Sequence, residues 1–129
     1  MRPAHVVAAA LLSLAAAAPA HAATVDTEQP SDLFLTVSGS ERTWIRGVHL
    51  SCAPEPAGRH PYAAEACAAL DAADGDLDAL PVERQMCTQV YAPVTVAATG
   101  TYRGKAVDWR KTYGNRCEME ASTGPVFRF

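Results

Sequence analysis

The chain has 129 residues, 49% hydrophobic and 19% charged, with 14 acidic side chains against 11 basic ones and a formal net charge of −3. That length suits one domain, and the acidic balance argues against a nucleic-acid partner, which calls for a basic field to displace phosphate counterions. Four cysteines, nine prolines and eight glycines point instead to a small, loop-containing domain stapled by disulfides.

Residues 1–22 predict a secretory signal peptide. Arg2 supplies the positive end, an apolar stretch runs from Val6 to about Ala18, and Ala20-His21-Ala22 offers the small-residue cleavage site. A membrane anchor is disfavoured, because the run is shorter than the ~20 residues a spanning helix needs and is rich in alanine rather than leucine. Cleavage after Ala22 would remove Arg2 and leave an exported chain more acidic than its precursor. Residues 23–31 are polar and lack periodicity, which predicts a flexible arm; the folded domain is expected over 32–129.

Leu33 to Val37 is rich in strand formers, and Gly47 to Cys52 alternates apolar with polar residues, so the polar stretch from Ser38 onward reads as a hairpin connection. Cys52 to Gly58 is turn material. Alanine dominates Pro61 to Ala73, with Pro61 acceptable in the first turn and Gly75 as the stop, so a helix is expected there with Cys67 on its inner face. Pro93–Ala97 and Ala106–Lys111 read as strands joined through Thr101–Lys105. Asn115 followed three residues later by Glu118 resembles a capping box opening a second helix through about Ala121. Val126–Phe129 closes the chain as a last strand. The expectation is an α+β domain with a five-stranded antiparallel sheet, two short helices and two disulfides.

In an exported chain the even count of Cys52, Cys67, Cys87 and Cys117 implies bridges. Three pairings are possible; local spacing favours Cys52 with Cys67 and leaves Cys87 with Cys117, for about 3 and a little under 4 kcal/mol in the chain-entropy account. A zinc site lacks support, since there is no Cys-x-x-Cys pair and neither His49 nor His60 stands at ligand spacing. Both histidines read as packed or capping residues. The acidic run Asp71, Asp74, Asp76 and Asp78 lacks the glutamate of a calcium loop and reads as a solvated helix end, with Asp76 or Asp78 as a local cap. Hydrolase and phosphate-binding motifs are missing from the sequence, and no metal or cofactor is expected.

The segment around Cys87 is distinctive. It is extended, neutral from Thr88 to Val90, and anchored by a bridge on one side and Pro93 on the other. Such a segment can dock as a strand in a protease cleft, with backbone hydrogen bonds supplying affinity and alternate side chains filling pockets; the alternative is an ordinary disulfide-bridged edge strand.

The blocks Gly47–Pro54, His60–Leu70, Gly75–Leu80, Met86–Val94, Gly104–Val107 and Asn115–Met119, with terminal Val126–Phe129, resemble the Streptomyces subtilisin inhibitor family in order, spacing and all four cysteines. The resemblance implies a secreted homodimeric inhibitor of extracellular serine proteases with bridges Cys52–Cys67 and Cys87–Cys117. It also implies a reactive bond at Gln89–Val90 and a binding loop of Met86, Cys87, Thr88, Tyr91, Ala92 and Pro93, with no catalytic residue. The chain departs from the family in having Gln89 where members often carry Met, Lys or Arg, and Thr88 where they carry Pro. Gln89 is unsuited to a trypsin-type pocket, which wants a cation, so a subtilisin-like enzyme is the expected partner. Two other readings follow from the same segment: a glutamine-donor substrate of an extracellular crosslinking enzyme, or a secreted binding module.

Overall fold

The structure is a computed structural model that describes residues 17, 19–20 and 28–129. The expected signal peptide over 1–22 falls almost entirely, and the arm over 23–27 wholly, outside the described residues. Among the described residues no helix is long and apolar enough to cross a membrane.

A five-stranded antiparallel sheet forms one layer. Its strands are β1 (Asp32–Ser38), β2 (Ile45–Ser51), β3 (Ala57–Gly58), β4 (Val94–Tyr102) and β5 (Lys105–Tyr113), in the order β3-β2-β1-β4-β5. Two helices, α1 (Ala63–Ala72) and α2 (Arg116–Thr123), and a one-turn 3-10 helix over Gly124–Phe127 cover one face. The period-2 alternation of β1 decides which face that is. Leu33, Leu35 and Val37 are buried with Leu50, Val96 and Ala98, against Leu70 of α1, Met119 of α2 and Phe127. Fully burying each large apolar side chain contributes roughly 1.5–3 kcal/mol. Phe34, 41% exposed, stands on the opposite face beside His49, its antiparallel partner, with ring centroids 4.8 Å apart.

The helix signals act as the sequence suggests. Gly75 adopts φ +76 and its N–H reaches the Leu70 carbonyl at 2.8 Å, closing the end of α1; a Cβ there would collide with the Tyr102 ring. Asn115 caps α2, its side-chain oxygen accepting from Glu118 N–H at 2.9 Å. Cys67 is buried on the inner face of α1 and bridged to Cys52, and Cys87 is bridged to Cys117. His60 is a buried latch: its Nδ1 accepts from Tyr62 N–H at 3.0 Å, so Nε2–H donates to the Val126 carbonyl at 2.8 Å. Burial, the largest influence, holds its pKa below the ordinary imidazole value.

Four details correct the sequence expectation. Val126–Phe129 is not a strand. Gly124-Pro125 follows α2 directly, and the backbone tightens into the 3-10 turn whose Val126 carbonyl is taken by His60 rather than by a neighbouring strand. The fifth strand is β3, two residues inside the stretch read as turn, paired through Leu50↔Gly58 and Ser51↔Ala57. Pro61 lies in the turn before α1 rather than in the helix, which begins at Ala63. At the amino end, Ser31 is buried, accepts from Arg103 N–H through its hydroxyl at 2.8 Å and bonds Cys52 through its carbonyl, so this end of the expected arm is part of the domain.

Candidate functional site

Between Leu80 and Val94 the chain runs without helix or strand, yet it is pinned at nearly every second residue to α2 and the residues flanking it. Glu83 N–H donates to the Ala121 carbonyl at 2.8 Å, and the Glu83 carboxylate pairs with Arg128 at 2.7 Å. The Gln85 amide donates to the Cys117 carbonyl at 2.9 Å. Cys87 is covalently tied to Cys117, and Ala92 N–H donates to the Gly114 carbonyl at 2.9 Å. On the exit side the Ser40 hydroxyl donates to the Pro93 carbonyl at 3.4 Å.

Asn115 does the most with one side chain. While its oxygen caps α2, its Nδ2 donates to the Thr88 carbonyl at 3.1 Å and to the Val90 carbonyl at 3.0 Å. The two accepting carbonyls flank Gln89. Asn115 is 8% exposed as a residue, so these bonds are largely shielded from competing water and are worth about 1 kcal/mol apiece. Sequence reading gave Asn115 as a helix cap only. The missed signal is the neighbouring bridge: a disulfide from Cys117 to Cys87 lays the first turn of α2 beneath the loop, where an amide can serve the helix with its oxygen and the loop with its nitrogen.

Above these braces the side chains stand free of the protein. Thr88 and Gln89 are exposed, Met86 wholly so, Val90 at 65% and Tyr91 at 82%. Met86 to Pro93 therefore presents an ordered backbone with unburied side chains, and Tyr91 is its only ionisable group. Such a shape offers a partner strand-like hydrogen bonding and pocket-filling side chains at little ordering cost. The acidic run identified in sequence lies elsewhere: Asp71 and Asp74 pair with Arg103, Asp78 with Lys111, and Asp76 accepts from Asp78 N–H at 2.9 Å. Burial, followed by the hydrogen bond to Asp71, pushes the Tyr102 pKa up to about 12, so that phenol stays protonated as a structural donor.

Comparison with known proteins gives a consistent picture. The family model described as subtilisin inhibitor-like matches residues 29–115. A subtilase-type protease inhibitor of Streptomyces fradiae is 44% identical over 116 residues, covering 85% of this chain and 82% of that protein. A subtilisin inhibitor of Streptomyces albogriseolus is 43% identical over 127 residues, covering 95% and 88%. Among solved structures, Streptomyces caespitosus sermetstatin in complex with Bacillus licheniformis subtilisin aligns with a TM-score of 0.61 at 36% identity, covering 78% of this chain and 98% of that one.

Proposed function

The chain belongs to the subtilisin inhibitor-like family, and on that footing we propose that it is a secreted, substrate-like inhibitor of a subtilisin-type serine protease, presenting Gln89–Val90 as the scissile bond. The observation that carries the reading is the double brace from Asn115 to the carbonyls on either side of Gln89, backed by the Cys87–Cys117 bridge.

Met86 to Gln89 would pair with the enzyme as a strand, Gln89 entering the main specificity pocket, with the enzyme's serine facing the Gln89 carbonyl beside the oxyanion hole. Attack would release the Val90 amine. The bridge and the Asn115 amide keep that amine beside the acyl group, and so high an effective concentration favours resynthesis over hydrolysis. No residue of this chain need do chemistry. The preformed loop also spares the ordering entropy that a flexible substrate loses on binding.

The pocket assignment is tested by exchange at Gln89. Gln89→Lys should create inhibition of trypsin-like enzymes, whose pocket requires a cation, and Gln89→Met should tighten binding to subtilisin-like enzymes about five- to thirtyfold by removing an amide that an apolar pocket leaves unsatisfied. If both variants fold yet keep the parent's profile, Gln89 does not enter the pocket. The outer sheet face, with Phe34 exposed and Ile45 at 66%, supports a homodimer packed through it, since an aromatic on a solvent-facing sheet calls for cover. Sedimentation at micromolar concentration should find the dimer, and a monomer alone would refute it.

A further inference from the structure

The segment leaving the proposed scissile bond emerges among arginines. The β1–β2 connection makes a tight 3-10 turn at Ser40–Arg42, in which Glu41 and Arg42 adopt φ +53 and +57. Backbone in this left-handed region is uncommon for residues other than glycine. The turn is set by the Ser40 hydroxyl on the Pro93 carbonyl and by Trp44, whose indole lies on Gly39 so closely that any Cβ there would overlap it. Two adjoining hollows border Tyr91, Ala92 and Pro93, and a third, which shares Trp44 and Arg116 with the second, lies beside them. Arg42 and Arg110 line the first, Arg116 the second, and Arg46 with Arg116 the third.

All four arginines are exposed. Arg42, Arg46 and Arg110 enter no ion pair among the described residues, while Arg116 shares its charge with Glu120 at 2.9 Å. Glu41 is the carboxylate lining the same hollows. The other flank of the loop is closer to neutral, since Glu83 is paired with Arg128 and leaves only Arg84 unbalanced. Asp71 and Asp74 stand with Tyr102 and Arg103 at the far end of β4, roughly 30 Å along a nine-residue strand from its start beside the loop. An acidic protein thus turns a basic shoulder toward the partner of its loop.

We propose that this shoulder is a second recognition surface, and that the protease it fits carries acidic side chains on the rim beside its leaving-group subsites. This rests on the inhibitor reading above. A charge pair at the rim of an interface acts mainly on encounter, by steering association and making it sensitive to salt, and it discriminates against partners of like charge. Arg42, Arg46, Arg110 and Arg116 would therefore choose among subtilisin-type enzymes whose pockets accept Gln89 equally well.

The test measures association and dissociation rates from about 20 to about 500 mM salt. It uses one subtilisin-type protease and a variant of it with two added aspartates beside the leaving-group subsites. The wild-type inhibitor should associate about tenfold faster with the aspartate variant at low salt and lose the advantage at high salt. The double variant R42Q/R46Q should lose that preference with dissociation little changed, and R116Q should reduce it if the double variant fails to fold. Equal rates for the two enzymes, or unchanged salt dependence in both inhibitor variants, would overturn the proposal and leave the loop assignment standing. Failure of the wild type to inhibit either enzyme would overturn the inhibitor reading and the proposal with it.

Discussion

The two disulfides sit in regions built on opposite plans. Cys52–Cys67 joins the end of β2 to the inner face of α1, where Leu50, Ala66 and Leu70 are already buried and the chain follows regular elements. Cys87–Cys117 ties a segment with no regular structure to the first turn of α2, and the neighbouring side chains Met86, Thr88 and Gln89 are exposed. One bridge adds to a packed core. The other, with a few hydrogen bonds, substitutes for one. The same covalent bond should therefore govern stability in the first region and behaviour toward a protease in the second.

Breaking each bridge separates these roles. Replacing Cys87 and Cys117 by serine should leave most of the fold in place but free the Val90 amine to depart. Peptide mapping should then show cleavage at Gln89–Val90 accelerated at least about a hundredfold as inhibition turns into digestion. Intact inhibition without this bridge would mean that Asn115 and the sheet suffice. Replacing Cys52 and Cys67 should instead cost about 3 kcal/mol in denaturant unfolding, while inhibition below the melting transition is retained.

Asn115 allows a finer cut, because its two functions use different atoms. Asn115→Asp keeps an oxygen to cap α2 but removes the donor shared by Thr88 and Val90 and sets a carboxylate against their carbonyls. Unfolding should move little, whereas protease affinity should fall about tenfold, or ~1.4 kcal/mol. An equal loss in both measurements would make Asn115 merely structural.

The smallest effect belongs to the core. Because burial lowers the folded-state pKa of His60, the neutral form contributes its full stability above the ordinary value of about 6.5. That contribution is lost as pH falls through the folded value, since the unfolded chain takes up the proton first. Unfolding measured below about pH 6.5 should weaken more steeply in the wild type than in His60→Gln. Matching pH slopes would show that the latch to Val126 carries no such linkage.

The same contrast explains what could be read in the sequence. β1, α1 and the Asn115 cap were legible because burial and capping leave local patterns: alternation from Leu33 to Val37, helix formers ending at Gly75, and Asn with Glu three residues on. β3 was not, since two residues that pair only because β2 lies beside them carry no pattern of their own. The terminal Val126–Phe129 has strand-like composition, but Gly124-Pro125 and the distant His60 decide its shape. At the candidate site, Cys87 and Cys117 were visible as a pair, whereas Asn115 as brace depends on contacts 25 and 27 residues away in sequence.

The most direct test of the central claim, that a braced loop is offered to a subtilisin-type protease as a substrate it cannot finish, is a stoichiometric titration. The purified domain would be mixed with subtilisin, residual protease activity followed, and the Gln89–Val90 bond assayed in the same samples. The account predicts activity falling linearly to zero near one inhibitor site per enzyme, with that bond largely intact. Undiminished activity, or activity that recovers as Gln89–Val90 is cut through, would contradict it.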